Sequence, residues 1–259
     1  MDTPVDSQPA PLPAPGCWWR SILFNAGMTI STLIFAPLSV LTFPLPYRWR
    51  YAFITQWSRF NLWWLGITCR LHYVVEGREH LPAGPVIVLA KHQSAFETLA
   101  FQRIFPPQVW LLKRELLWVP FFGWGLAMLE PIAIDRKVGR KALQQLLIDG
   151  TQRLEHGRWV VIFPEGTRMA PGTRGRYAPG GAILAARSGY PVVPVAHNAG
   201  EFWPKRGFIK RPGTIRIVIG PLIDSRGRDA QEINTLVEQW IEETMKKISG
   251  AQHGAPRRE

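Results

Sequence analysis

A histidine and a carboxylate lie five residues apart at the end of an apolar run in this chain. His92 and Glu97 follow residues 85–90, whose composition is typical of a buried strand. Histidine ionises near neutral pH, so it can take a proton from an alcohol and return it to a leaving group. A carboxylate beside the ring fixes its tautomer and stabilises the imidazolium. The pair therefore predicts a general base with an orienting acid, which is chemistry suited to transfer onto a hydroxyl.

Glu97 also has a purely structural explanation. Residues 94–97 (SAFE) have the pattern of a capping box, in which a glutamate accepts a hydrogen bond from the backbone at the start of a helix. A carboxylate has two oxygens, so the same side chain could cap a helix and orient His92. The residues alone leave both roles open.

A second motif, residues 163–168 (FPEGTR), follows another apolar run. Pro164 and Gly166 favour a turn, and the glycine lets a ligand approach the backbone closely. Arg168 offers a planar guanidinium suited to phosphate. Glu165 could accept a hydrogen bond from a substrate hydroxyl. The alternative is an ordinary turn with a surface salt bridge, although a string of six residues is more specific than a lone arginine.

Two further cations follow strand-like runs between these motifs. Lys113 comes after residues 108–112, and Arg136 comes soon after residues 131–134. Together with Arg168 they could surround one anionic group. Taken singly, each is better explained as a solvated surface cation.

The elements that must position these residues alternate between strand-like and helix-like stretches from residue 70 onward. The predicted strands are residues 70–75, 85–90, 108–112, 131–134, 158–163, 192–196 and 214–219. The clearest helices are residues 138–155, 180–187 and 229–248, the last opened by Asp229 with Glu232 as a capping pair. This order predicts an α/β domain with a mixed, partly parallel sheet flanked by helices. Ligands of such sheets bind at the carboxyl ends of strands, where both motifs fall.

The N-terminal part is an apolar helical membrane element by composition. Residues 21–47 carry no charged side chain and are long enough to cross a bilayer, but three prolines argue against one straight helix. Residues 51–69 are also apolar, interrupted by Arg59. The two stretches could cross the membrane, dip into one leaflet as a hairpin, or pack as a buried pair in a soluble protein.

Six of the 12 tryptophans fall in the first quarter of the chain, as is typical of a membrane interface. Arg48, Arg50 and Arg59 follow the first apolar stretch, so a positive-inside bias places the main domain on the cytoplasmic side of the inner membrane. The expected divisions are a disordered tail (1–16), a membrane-associated helical segment (17–69), the α/β domain (70–250) and a polar tail (251–259).

The net charge of +12 favours an anionic partner: nucleic acid, acidic lipid headgroups or an acidic protein. Nucleic acid is disfavoured because no zinc-finger spacing, recognition-helix pattern or RNA-binding aromatic signature occurs. Cys17 and Cys69 have no neighbouring cysteine or histidine at metal-ligand spacing, so we expect neither a metal site nor a disulfide framework. A basic, aromatic stretch at residues 202–211 is typical of a membrane-contact loop or of a plain surface loop.

In combination, these motifs resemble those of the glycerophospholipid acyltransferases, specifically the 1-acyl-sn-glycerol-3-phosphate acyltransferase family. The resemblance covers about residues 70–225, and four blocks occur in the family's order. They are His92 with Glu97, residues 134–136 with Pro120 and Gly123 upstream, residues 163–168, and residues 193–195.

The resemblance implies that His92 activates the free hydroxyl of lysophosphatidic acid. It implies Glu97 as the orienting acid, at a position where the family usually has aspartate. Three cations would hold the acceptor phosphate, namely Arg168, Arg136 and Lys113. The remaining substrate-binding residues, lining the glycerol pocket, would be Glu165, Gly166 and Thr167.

The implied reaction is direct attack of the sn-2 hydroxyl on an acyl thioester, with no metal, no cofactor and no acyl-enzyme. The donor would be acyl-carrier protein or acyl-CoA, and the product phosphatidic acid would enter phospholipid biosynthesis. The expected partners are therefore membrane lysophosphatidic acid and one of these thioesters, with no nucleic acid. Two alternatives are acylation of another lysolipid, such as a lyso-ornithine lipid, and a non-catalytic membrane protein that binds lipid or carrier protein. The second alternative does not explain why both motifs are intact.

Overall fold

The structure is a computed structural model that describes residues 15–135, 138–250 and 255–256. Its strands are β1 (Leu71–Glu76), β2 (Ile87–Ala90), β3 (Gln108–Lys113), β4 (Ile132–Ile134), β5 (Trp159–Ile162), β6 (Thr173–Arg174), β7 (Val192–His197), β8 (Gly213–Ile219) and β9 (Ala255–Pro256). Its helices are α1 (Trp18–Leu41), α2 (Tyr47–Cys69), α3 (Phe96–Ile104), α4 (Phe122–Ala127), α5 (Arg140–Glu155), α6 (Gly180–Ser188), α7 (Ala199–Phe202) and α8 (Ala230–Ile248). Short 3-10 segments lie at Arg78–His80 and Arg114–Trp118.

Seven strands form one mixed sheet in the order β1-β8-β7-β2-β5-β3-β4. Every neighbouring pair is parallel except β7 and β8, so β8 and β1 run opposite to the other five strands. The fold class predicted from the sequence is confirmed, and each of the seven predicted strands is present. The short pair of β6 and β9 was not predicted.

The central strands are buried on both faces, which explains their continuous apolar composition. Side chains alternate along a strand, so Val88 packs with one core cluster while Ile87 and Leu89 pack with another on the opposite face. The first cluster is covered by α1, α2 and α3, and the second by α5, α6 and α8. In register, Leu89 of β2 lies beside Ile162 of β5. The segments that follow these two strands, which carry the two motifs, are therefore neighbours.

The two apolar N-terminal stretches form a helical hairpin. Pro37 lies inside α1 without ending it, and the chain turns between α1 and α2, where the other two prolines lie. The hairpin is tied together by Trp64, whose Nε1 donates to the Leu23 carbonyl at 3.2 Å. Through α2 it is tied to α3, because Ser58 Oγ donates to Gln102 Oε1 at 2.6 Å.

The outer face of the hairpin is apolar and uncovered. Helix α1 is long and apolar enough to cross a membrane. Only 22% of its most apolar 18-residue stretch is buried. Leu41, for example, is 74% exposed, and Ile34 is 53% exposed. A core helix of a water-soluble protein would bury this face, so the exposed face indicates association with a membrane.

Helix α8 follows the sequence prediction closely. Its first turn is capped by Asp229, whose side chain accepts a hydrogen bond from the Glu232 N–H at 2.8 Å. Its apolar stripe, including Ile233, Val237 and Ile241, is buried against the second core cluster. The capping pair and the packing face are therefore confirmed.

Candidate active site

The ring of His92 lies just beyond the end of β2, between a carboxylate and an aromatic ring. Its Nδ1 is 2.7 Å from Glu97 Oε1, and the imidazole stacks on the Phe163 ring with centroids 3.9 Å apart. Because the ionised carboxylate only accepts, Nδ1 carries the proton and Nε2 keeps its lone pair. The His92 side chain is 15% exposed and lines a cavity. Nε2 of His92 is thus available to accept a proton from a molecule in the cavity.

Glu97 caps the start of α3 and contacts the histidine at the same time. Its Oε1 accepts the backbone N–H groups of Gln93 at 2.9 Å and Ser94 at 2.8 Å, and Oε2 also accepts from Ser94 at 3.1 Å. Burial alone would raise the pKa of this fully buried carboxyl, but His197, His92 and the Ser94 N–H hold the pKa below its ordinary value. Glu97 is therefore ionised at neutral pH, and the geometry provides for both roles considered from the sequence.

A second histidine, His197 at the end of β7, supports this pair from behind. It is fully buried, with Nε2 donating to the Lys91 carbonyl at 2.8 Å and Nδ1 accepting from the Ala199 N–H at 3.3 Å. Burial lowers the pKa of His197, and the Glu97 carboxylate, 4.0 Å away, opposes that fall. Sequence reasoning missed this residue, although a histidine that ends an apolar strand was a usable signal.

The second motif and the residue directly after it, Met169, hold the backbone of His92 on both sides. The His92 N–H donates to Glu165 Oε2 at 3.2 Å, and the Met169 N–H donates to the His92 carbonyl at 2.7 Å. These contacts are possible because β2 and β5 are adjacent and parallel. The motif thus fixes the main chain from which the imidazole projects.

The expected contact between Glu165 and substrate is corrected by the structure. The Glu165 side chain is fully buried, and its Oε1 accepts from Lys91 Nζ at 2.7 Å and from the Gly175 N–H at 3.1 Å. Burial raises the pKa of this carboxyl, and Lys91 opposes that rise. Both oxygens are used within the protein, so Glu165 supports the site from beneath. The sequence could not show which way a side chain in this turn would face.

Two of the three predicted phosphate-binding cations reach the same cavity as His92. Arg168 and Lys113 both line it, as do Gly166 and Thr167. In the described ranges 15–135 and 138–250, neither cation has an acidic or carbonyl partner. Gly166 has φ +66°, a conformation that glycine adopts without strain. Two unpaired cations beside a candidate base suit an anionic substrate group.

Arg136 lies outside the described residues, so its predicted contact with the substrate stays a prediction. Lys205 lines the cavity and donates from Nζ to Thr167 Oγ1 at 3.0 Å. The sequence had suggested only a membrane or surface role for Lys205. Lys205 reaches the site because two loops that are distant in sequence lie side by side. Composition does not predict such a contact.

The cavity has a volume of about 450 Å³ and two kinds of wall. Its polar lining includes His92 and Arg168, from segments that follow strands, and Lys113, the last residue of β3. Its apolar lining comes from the hairpin and from the chain around α4, and includes Phe35, Ala36, Ile54, Trp57, Leu126 and Leu129. Such a cavity can deprotonate a hydroxyl close to an anionic group while an apolar chain lies against the hairpin.

Comparisons with protein families, known proteins and solved structures all find similarity to acyltransferases. A family model described as Acyltransferase matches residues 72–198. A Pseudomonas aeruginosa protein named 1-acyl-sn-glycerol-3-phosphate acyltransferase is 46% identical over 238 residues, which cover 90% of this chain and 93% of that protein. A Saccharomyces cerevisiae protein of the same name is 30% identical over 212 residues, covering 71% of this chain and 66% of that protein. The crystal structure of an acyltransferase from Thermotoga maritima shares the fold, with a TM-score of 0.74 at 22% identity over 88% of this chain and 94% of that chain.

Proposed function

The chain belongs to the 1-acyl-sn-glycerol-3-phosphate acyltransferase family of enzymes, and we propose that it moves a fatty acyl group from an acyl thioester to the sn-2 hydroxyl of lysophosphatidic acid. The product would be phosphatidic acid, for phospholipid biosynthesis. The observation that carries this proposal is that His92, paired with Glu97, lines the same cavity as Arg168 and Lys113, two cations with no acidic partner among the described residues.

In the proposed reaction His92 first acts as a base and then as an acid. Its Nε2 takes the hydroxyl proton as the oxygen attacks the thioester carbonyl, and Glu97 stabilises the imidazolium that forms. The new carbon–oxygen bond forms as the carbon–sulfur bond breaks, and the departing thiolate takes the proton from His92. One histidine thus carries the proton from the hydroxyl to the thiolate, and the acyl group passes directly from sulfur to oxygen.

The proposed acceptor follows from the charges and the apolar walls of the cavity. A phosphate monoester would be held by Arg168 and Lys113, with Thr167 and Lys205 beside them. Acyl chains would lie along the apolar lining contributed by the hairpin. A lyso-ornithine lipid offers no phosphate, so this arrangement favours lysophosphatidic acid over that alternative.

Replacing Arg168 by alanine is expected to raise the KM for lysophosphatidic acid by about 10- to 100-fold, because a hydrogen bond to a charged group is worth about 1.5–3 kcal/mol. Steady-state kinetics with varied acceptor would measure the change. A matched control is Arg187→Ala, which removes an exposed arginine from the last turn of α6. An unchanged KM in the Arg168 variant would contradict its role in holding the phosphate.

The donor is proposed to be a thioester of acyl-carrier protein or coenzyme A. A direct test offers both thioesters in parallel to the purified protein in lipid vesicles, with lysophosphatidic acid or a lyso-ornithine lipid as acceptor. Mass spectrometry should detect phosphatidic acid with at least one donor and a smaller yield of acylated ornithine lipid. Tight lipid binding without product from either donor would instead support a non-catalytic lipid-binding protein.

We also propose that the hairpin dips into the cytoplasmic leaflet of the inner membrane. Helix α2 packs on α3 and shares its core cluster, since Leu65 and Phe96 belong to the same set of buried residues. This packing keeps the apolar hairpin beside the catalytic domain and supports insertion into one leaflet over a crossing. Exposed Arg48 and Arg59 would remain on the cytoplasmic side.

A further inference from the structure

A fully buried lysine lies immediately before the candidate base. Lys91 has no exposed surface, and its ammonium donates to Glu165 Oε1 at 2.7 Å, Glu242 Oε1 at 2.9 Å and the Thr173 carbonyl at 3.3 Å. These three acceptors match the three N–H groups of an ammonium. Tyr177 adds a further bond, with its hydroxyl donating to Glu242 Oε1 at 2.9 Å. We call Lys91, Glu165, Glu242 and Tyr177 the buried network.

Stability is a weak explanation for this network. It holds one ammonium and two carboxylates, so its formal charge is −1, and all three side chains are almost entirely removed from water. Taking such charges out of water is costly, and apolar residues of similar volume often replace a buried ion pair without loss of stability. A cluster of this kind is better explained by what it holds in place.

The buried network holds the main chain of His92. Glu165 uses one oxygen for Lys91 and the other for the His92 N–H. The orientation of that carboxylate therefore helps determine where the peptide group before His92 lies, and the Met169 N–H holds the peptide group after it. Glu242 fixes Lys91 in turn from the middle of α8.

We propose that Lys91, Glu165 and Glu242 are positioning residues, which align the His92 backbone so that Nε2 faces the substrate hydroxyl. The proposal deepens and rests on the proposed function. It gives α8, which the sequence indicated only as a packing helix, a part in supporting the active site. It also predicts a specific kinetic signature: since none of the three residues lines the cavity, kcat falls while the KM for the acceptor stays unchanged.

Two variants test the proposal against a purely structural role. Lys91→Met takes the ammonium away from two buried carboxylates, so we expect a lower Tm. We expect kcat to fall about tenfold, because small misplacements of a catalytic group lower the rate strongly. The double variant Lys91→Met with Glu242→Gln restores the formal charge of −1 but not the bridge between α8 and Glu165. We expect its Tm to recover toward that of the wild type while its kcat stays low.

A matched control is Glu238→Gln, the same change one turn earlier on α8, where the carboxylate pairs with exposed Arg174 at the surface. This control should keep the kcat, KM and Tm of the wild type. A double variant whose kcat returns together with its Tm would show that the network is only structural and would overturn the proposal. A Lys91→Met protein with the kcat of the wild type would also overturn the proposal. These comparisons are made with wild-type protein already shown to form phosphatidic acid, so failure of the network is distinct from failure of the proposed function.

Discussion

His92→Ala is expected to lower kcat by about 10³-fold, within the range of roughly 10²–10⁴ that a positioned general base contributes. The variant removes both the proton acceptor for the hydroxyl and the donor for the leaving thiolate. Phosphate binding should persist, because Arg168 and Lys113 are untouched, so the KM for lysophosphatidic acid should change little. Turnover would be followed by mass spectrometry of phosphatidic acid made by purified protein in lipid vesicles.

The folded state should survive this change, which makes the kinetic result interpretable. Glu97 still accepts the N–H groups of Gln93 and Ser94, and the His92 backbone still bonds to Glu165. A matched control is His156→Ala, which removes an exposed imidazole at the end of α5. Near-normal turnover by the His92 variant, with Tm and membrane binding preserved, would rule out the proposed mechanism.

The strand pattern was predictable because it depends on local composition, and the closeness of the two motifs then followed from a general rule for parallel sheets. Apolar runs broken by polar turns marked β2 and β5, and parallel strands bring their carboxyl ends to one edge. From that rule alone, His92 and Arg168 were expected near one another. The structure confirms that they line one cavity.

The buried network and the role of Glu165 were not predictable in the same way. Lys91 and Glu242 are 151 residues apart, and their contact depends on how α8 packs against the sheet. Whether Glu165 faces the cavity or the core depends on that packing too, since Lys91 supplies the buried cation that draws the carboxylate inward. One local signal existed: Lys91 is a charged residue directly after a strand that is buried on both faces. A charge at such a position needs a partner, but the sequence does not identify which one.

Membrane attachment was partly predictable for a related reason. Composition alone identified the apolar stretches. Whether these stretches pack against the α/β domain depends on tertiary contacts such as those of Leu65. The same contacts build the apolar walls of the cavity from α1 and α2. The site is therefore assembled from two parts of the chain, of which only one carried recognisable motifs.

Glu97→Gln is expected to lower kcat by about 10²–10³-fold with little change in KM. The amide is neutral, so it no longer stabilises the imidazolium that forms when His92 takes a proton. Exchanging a carboxylate for an amide beside a catalytic histidine also allows the wrong tautomer, which lowers kcat by about 10⁴ in the serine-protease triad. Here an amide nitrogen turned toward Nδ1, which is 2.7 Å from Oε1, would donate to that atom and move the ring proton onto Nε2. The base would then have no lone pair facing the substrate.

The same variant separates orientation from helix capping. With the amide nitrogen toward Nδ1, the amide oxygen takes the place of Oε2, which still accepts the Ser94 N–H but not the Gln93 N–H. The free energy of unfolding should therefore fall by about 1 kcal/mol, typical of a weakened cap. If Glu97 only capped α3, that small loss would be the entire effect and kcat would stay near normal. Glu232→Gln, in the exposed first turn of α8, is the control for removing a helix-start carboxylate and should alter neither quantity.

Glu97→Asp keeps the charge but withdraws it by one methylene, so its kcat should lie between those of the wild type and the glutamine variant. A kcat for Glu97→Asp below that of Glu97→Gln would mean that reach, and not charge, decides how this carboxylate serves His92.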